Sequence, residues 1–342
     1  MATLPHRRSV LAAAMLALAG CRQQEPVTTA HTPPLDMALL NRAIPQIAAR
    51  LRPGRVGVGY MNMDSGESWT LAGDQRFPMQ AVFMAPLASA VLAEADAHRL
   101  SLDDALTVQE MDLSPSSRIA DAWPRSKRYT IRGLLTLAVQ FSDNTAADML
   151  MARIGGPGAV TAFLVSKRIN GIRIDRFARE IQTELLGLAP FRSAWRTEAG
   201  FQAARASVPE AQRVRALTAY LSDPRDTATP RAMLHWLYAL DIGELVAPAS
   251  RVLLLKLMAA ASPGGAMLIR AGLPAGCTLS HKMGAGPIEG GVISALNDVG
   301  VITLPDGRRY GLAVFISGAH GPVQRCETAI ADIARAAVRA SR

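Results

Sequence analysis

Extended apolar runs broken by turns mark both ends of this chain, and apolar positions at helical spacing fill its middle. Val56-Gly57-Val58-Gly59-Tyr60 and Ser68-Trp69-Thr70-Leu71 flank the turn signal Asp64-Ser65-Gly66, so the segment Arg55 to Leu71 predicts a hairpin. Val299 to Leu304 and Tyr310 to Ser317 flank Pro305-Asp306-Gly307 and predict a second hairpin. Between them, Met84, Leu87, Val91 and Leu92 recur with helical periodicity, as do Ile131, Leu134, Leu135 and Val139. Ile330, Ile333 and Ala337 share one face of a terminal helix over Arg325 to Ala340. Strands at both ends of a helical middle imply a sheet drawn from both termini with a helical subdomain inserted, and a cleft between the two.

The first twenty residues read differently. Arg7 and Arg8 precede the apolar run Val10 to Ala19, and Leu18-Ala19-Gly20-Cys21 follows. A basic start, a short apolar stretch and small residues before a cut read as an export signal (1–20), and Cys21 in that place resembles a bacterial lipobox, where the Cys is lipidated. The Arg pair also suits the twin-arginine route. Residues 21–35 are polar and rich in Pro and Thr, which suits a flexible tether. The expectation is an exported, periplasmic protein held to a bacterial membrane by its N-terminal lipid, and otherwise a monomer. No later segment is apolar for long enough to span a bilayer.

The chain has 342 residues, 49% hydrophobic and 19% charged, with a formal net charge of +9. A basic chain invites a nucleic-acid reading, but no nucleic-acid-binding signature appears, and an exported protein meets little nucleic acid. Acidic envelope polymers are the more natural partners of such a surface.

Four motifs carry the chemistry. Arg76-Phe77-Pro78-Met79-Gln80-Ala81-Val82-Phe83-Met84-Ala85-Pro86-Leu87 resembles the start of the catalytic helix of class A serine β-lactamases. That family carries Ser-x-x-Lys there, a nucleophile and the Lys that helps activate it. Ala81 and Met84 occupy those two positions. Ser142-Asp143-Asn144, 61 residues after Ala81, resembles the second family motif. His281-Lys282-Met283-Gly284 resembles the third, Lys-Thr-Gly; Lys282 is kept, while Met283 replaces a Thr whose hydroxyl serves the substrate carboxylate. Ile174-Asp175-Arg176-Phe177-Ala178 resembles the opening of the omega loop, with Ala178 where the family keeps the Glu that activates water, and Gln182 where an Asn is usual. Arg176 and Asp226 match the salt-bridge pair that ties the loop.

The resemblance runs from about Leu39 to Ala340. It implies an α/β (α+β) fold of the β-lactamase/transpeptidase type: an antiparallel sheet from both termini flanked by helices (36–80 and 240–342), with an inserted all-helical subdomain (81–239). Arg176 and Asp226 are far further apart than in the family, so the excess, about 183–222, is an insertion. Pro209-Glu210 opens a helical pattern there, with Val214, Leu217 and Leu221 on one face. That pattern suggests a helical cover near the cleft, and Arg192, Arg196, Arg205, Arg213 and Arg215 would give it a basic outer surface for an acidic partner.

The departures are concerted. The nucleophile, its Lys and the loop Glu are all replaced by apolar residues, so no orphan charge is left in the cleft. The leading expectation is therefore a pseudoenzyme that binds a β-lactam, a peptidoglycan fragment or a protein partner. Asn144, Gln182, Met283, Gly284 and Ala285 are its candidate ligand-binding residues. One alternative is a hydrolase of altered chemistry using Ser142 and Lys282; separately, Glu180 and Glu184 are the omega-loop residues that can substitute for the missing Glu. Another is a basic scaffold with an unused cleft. No cofactor and no metal is implied. Within the resembled fold, Cys277 and Cys326 are expected to form a disulfide.

Overall fold

The computed structural model describes residues 33–261 and 268–342. The expected export signal, Cys21 and all but the end of the expected tether lie outside the described residues. That end is already part of the fold: Leu35 is buried, and its N–H donates to Glu67.

The sheet is antiparallel throughout. β1 (Arg55–Asn62) and β2 (Ser68–Leu71) come from the first hairpin. β3 (Thr278–Ala285), β4 (Val292–Thr303) and β5 (Arg309–His320) come from the C-terminal part. The spatial order is β2-β1-β5-β4-β3, and the short strand Ile288–Glu289 also pairs with β4. Residues from both ends meet in the centre, where Val58 pairs with Val314.

Both faces of the sheet are covered, and the period-two alternation of a strand divides its side chains between two cores. In β5, Leu312, Val314 and Ile316 face α1 (Met37–Ala49) and the terminal helix Val323–Arg339. Ala313 and Phe315 face the helical side, where α2 (Met84–Asp96), α3 (Ile131–Phe141) and α4 (Asn144–Arg153) form the larger core. Each fully buried aliphatic side chain in such a core contributes about 1.5–3 kcal/mol.

The helix Pro230–Asp241 packs on β1 and β5. The chain therefore rejoins the sheet layer at Thr229, whose hydroxyl caps that helix through Ala232 N–H, and not at residue 240 as the sequence suggested.

The insertion is helical. After α5 (Ala178–Glu184) come α6 (Glu198–Ser207) and α7 (Glu210–Ser222). Phe201, Leu217 and Tyr220 pack on Ile181, Leu185 and Leu186 in a small core of their own.

Two further expectations are corrected. Cys277 and Cys326 are both free and buried. Cys326 sits in the first turn of the terminal helix, whereas Cys277 lies beside Arg342, past that helix's far end. The thirteen residues from Cys326 to Arg339 rise about 20 Å along the axis, far beyond the roughly 7 Å a disulfide tolerates between Cα atoms. The insertion also lacks a wholly basic outer surface. Arg205 and Arg213 turn inward and hold Glu289, which is 2% exposed, at 2.6 and 2.8 Å. A buried carboxylate beside the insertion draws in two of the five guanidinium groups. Arg192 and Arg215 remain exposed.

Candidate functional site

The site forms where three elements end. A 3-10 turn, Gln80–Phe83, leads into α2 and carries Ala81. β3 runs against this turn so closely that a Cβ on Gly284 would sit 2.5 Å from Met79 O. Only glycine allows that approach. The third element is the corner between α3 and α4.

That corner is Ser142-Asp143-Asn144. Ser142 ends α3 in the left-handed conformation, with φ 55°. Asp143 begins α4 by accepting from Ala146 N–H at 2.9 Å, and its carboxylate also accepts from Ser117 Oγ and Ile119 N–H. Asp143 is thus a buried capping residue, and it positions its two neighbours. Asn144 Nδ2 donates to Pro115 O at 2.8 Å. Ser142 faces a cavity of about 300 Å³.

Lys282, on β3, is 1% exposed. Its Nζ donates to Ser142 Oγ at 2.6 Å and to Met283 O at 2.9 Å. Burial pushes its pKa down to about 7, against the opposing pull of Asp298. Asp298 accepts instead from His281 Nδ1 at 2.7 Å. Lys282 therefore has hydrogen-bond partners but no direct carboxylate.

The other sequence candidates divide. Ala81, Ala178, Asn144, Gln182, Met283 and Ala285 border the cavity together with Ser142. Met84 does not: it is fully buried in the larger core, where its thioether chain fills space. Gly284 is packed against Met79 and supplies clearance, not a wall. Arg176 Nε donates to Asp226 Oδ2 at 2.6 Å, and both residues are buried, so the two ends of the insertion are tied. Glu180 accepts from Phe177 N–H, while Glu184 pairs with Arg176 and Arg225. Neither borders the cavity, so the expectation that one of them replaces the lost base is overturned.

Other residues shape the site without having been singled out. Gln80, a non-glycine at φ 48°, donates from Nε2 to Tyr220 OH at 2.6 Å and accepts from Gln182 Nε2 at 3.4 Å. Asp148 accepts from Ala178 N–H at 2.6 Å and Arg179 N–H at 3.2 Å, capping α5, and from Ser114 Oγ. Burial raises its pKa to about 6. Ser116 and Phe141 complete the rim. The only sequence signal for Asp148 was its place one turn beyond Asn144 on the same helix.

The wall is uncharged. Its polar side chains are Gln80, Ser116, Ser142, Asn144 and Gln182, and the rest is apolar. Among the described residues no group of three or more His, Cys, Asp or Glu is placed to hold a metal ion.

The insertion braces this site from outside. Ser193 Oγ donates to Glu110 at 2.5 Å, and the Arg196 guanidinium lies over Trp123. Arg205 and Arg213 grip Glu289 at the sheet edge. No residue of 187–222 borders the cavity, so the insertion supports α5 and Gln80 and does not roof the pocket.

Comparison with known proteins agrees with this architecture. A family model described as the β-lactamase enzyme family matches residues 39–340. A β-lactamase of Pseudomonas aeruginosa, VEB-1, is 28% identical over 290 residues, covering 84% of this chain and 85% of its own. A β-lactamase of Rhodobacter capsulatus is 28% identical over 312 residues, covering 91% and 92%. Among solved structures, a β-lactamase from Chitinophaga pinensis superimposes with a TM-score of 0.73 at 29% identity, covering 89% of this chain and 99% of that one. The reconstructed last common ancestor of Gram-negative class A β-lactamases gives 0.71 at 32%, covering 89% and 100%. With a continuous match, the shared fold and the motifs in order, the chain belongs to the class A serine β-lactamase family.

Proposed function

We propose that this protein is a non-catalytic member of its family, an envelope lipoprotein that uses the former active-site cavity to bind a cell-wall-related ligand or a partner. The observation that carries this reading is the cavity wall. Ala81 and Ala178 stand at the nucleophile and loop-base positions, Met84 is buried at the Lys position, and no carboxylate borders the space. Loss of such a nucleophile lowers turnover by about 10⁶-fold. The expected anchor is lipidated Cys21, which incorporation of labelled palmitate, lost on Cys21→Ser, would report.

The test is intact-protein mass measurement after exposure to a panel of penicillins and cephalosporins, alongside turnover of a chromogenic cephalosporin. Neither a stable adduct nor turnover above background is expected. A ligand-induced rise in melting temperature is expected from at least one cell-wall fragment or β-lactam.

One observation favours a second reading. Ser142 Oγ and Lys282 Nζ are 2.6 Å apart, the Lys is buried, and Ser–Lys pairs act as nucleophile and base in other hydrolases. In that reading the neutral amine of Lys282 takes the Ser142 proton as Oγ attacks an acyl carbon. With a β-lactam the ring C–N bond breaks, the nitrogen takes that proton and stays tethered to the acyl-serine, and water then hydrolyses the ester to the acid. A mass increase equal to the drug and lost on Ser142→Ala would establish it and sink the first reading.

A further inference from the structure

Two arginines away from the former active site carry their charge without a carboxylate. Arg55 opens β1, and Arg76 precedes the short strand Phe77–Pro78. Both line a second cavity, of about 520 Å³, closed on one side by the end of α7 at Leu221 and Ser222. Those two residues belong to the insertion, so the inserted segment builds one wall of this space as it returns to the sheet. None of the residues around it borders the first cavity. Arg55 donates from Nη2 to Leu221 O at 3.3 Å and lies 5.4 Å from the centre of the Phe77 ring. Arg76 donates from Nη1 to Thr227 Oγ1 at 3.3 Å. Among the described residues neither side chain makes another hydrogen bond or an ion pair. A guanidinium carries five N–H donors, so most of those on each arginine are unspent.

The acids nearby are already matched. Asp223, on the cavity wall, accepts from Arg225 Nε at 2.9 Å and Nη2 at 2.6 Å, with Arg176 at 3.5 Å. Asp74, next to Gln75 in the chain, pairs with Arg231 at 2.8 Å. The C-terminal carbonyls of α7 carry roughly half a negative charge, which Arg55 meets through Leu221 O. A net positive charge is therefore left at the cavity. The donor geometry selects among anions. A carboxylate has two oxygens and is satisfied by one guanidinium fork. A phosphate monoester has three terminal oxygens and about 1.5–2 negative charges near neutral pH, enough for two arginines. The volume falls in the range of about 300–1,000 Å³ that holds a whole small molecule, so the group bearing the phosphate fits as well. Pro78, Leu221 and Pro224 give that group apolar contact, and Gln75 and Ser222 add an amide and a hydroxyl.

We propose that Arg55 and Arg76 form a second binding site, at the junction of the insertion with the sheet, for a small soluble phosphate monoester such as a sugar or polyol phosphate. The phosphate sits between the two guanidinium groups, and the body it is attached to lies along the end of α7. This site is separate from the former active-site cavity and stands whether or not that cavity binds anything.

The experiment titrates the intact protein with glycerol 3-phosphate, inorganic phosphate and glycerol by calorimetry, at low ionic strength where exposed charges are least screened. Glycerol 3-phosphate is expected to bind, inorganic phosphate to bind several-fold more weakly, and glycerol to give no signal. Arg55→Gln and Arg76→Gln should each weaken the ester about tenfold or more, since each removes charge-assisted hydrogen bonds. Arg192→Gln, an exposed arginine elsewhere on the insertion, should leave it unchanged and so separates a site from general attraction to a basic protein. If Arg55→Gln melts early because α7 loses its partner, Arg76→Gln alone carries the test. Amide exchange with the ester bound should slow over residues 219–227 more than around the first cavity. No binding of the ester, or binding that Arg76→Gln leaves intact, overturns the proposal, as does inorganic phosphate binding as tightly as the ester. Vesicles of phosphatidylcholine with phosphatidic acid carry the same phosphate on a lipid. Binding to them that is lost in Arg76→Gln, without binding of the soluble ester, would overturn the soluble-ligand assignment in favour of a membrane.

Discussion

Gln80 Nε2 donates to the hydroxyl of Tyr220 across 2.6 Å, with both side chains buried. This bond joins the turn before α2 to the last turns of α7, so it couples the insertion to the cavity wall. Tyr220 is withdrawn from water far enough that its hydroxyl pKa is raised, which keeps it protonated and leaves its oxygen lone pairs for Gln80.

Tyr220→Phe should therefore cost about 1–3 kcal/mol, because a buried amide donor loses its partner. Urea unfolding measures this. In a double-mutant cycle, Gln80→Leu added to Tyr220→Phe should cost much less than the two single changes summed. Full additivity would show that the bond couples nothing.

Glu289 is the second anchor of the insertion, facing Arg205 and Arg213. Glu289→Gln removes the charge and keeps the shape. We expect a loss of about 2 kcal/mol, since hydrogen bonds to a buried charged group exceed neutral ones. Amide exchange over residues 198–222 should accelerate more than in the sheet. A uniform change across the molecule would contradict a local anchoring role.

Met84 is fully buried where the family places a Lys. Met84→Lys puts an ammonium into an apolar core without its serine partner, and should destabilise by about 3–5 kcal/mol. Adding Ala81→Ser should recover part of that loss. If Met84→Lys is neutral in urea denaturation, the replacements at 81 and 84 are not energetically linked.

Lys282 predicts a pH dependence with a definite sign. Its folded pKa, about 7, lies below the ordinary 10.5. Between those values the unfolded chain holds more protons, so this group makes stability rise with pH; the gain is complete above the unfolded value and lost as pH falls through the folded one. From about pH 7 to pH 9 the rise should be about 2 kcal/mol. Asp148, raised to about 6, has finished titrating below this window. Cys326, raised to about 11, opposes the trend only as the unfolded thiol ionises near 9.0. Lys282→Met should flatten the slope, and an equal slope in that variant would assign it to other groups.

Cys277 and Cys326 should both react as thiols. Alkylation in denaturant without reductant, followed by peptide mapping, is expected to label both. Without denaturant, labelling should be slow at Cys326, which is 1% exposed and whose thiol pKa burial raises. A disulfide-linked peptide pair would overturn the helix direction argued above.

Local pattern was enough for the elements and for the motif positions. Alternation places Val58 and Val314 in strands, helical spacing places Leu134 and Val139 on one face, and these periods act over a few residues, so they are written in the chain itself. The same holds for the departures at Ala81, Met84, Ala178 and Met283, because residue identity alone removes a nucleophile, a base or a hydroxyl. What only the tertiary structure decided are the partners. The bond between Ser142 and Lys282, the inward turn of Arg205 and Arg213 toward Glu289, the link from Gln80 to Tyr220 and the separation of Cys277 from Cys326 join positions 49 to 140 residues apart. Spacing along a chain does not encode which way a helix runs across a sheet or which buried carboxylate an arginine finds. Those outcomes follow from packing and desolvation, which exist only once the two cores have closed.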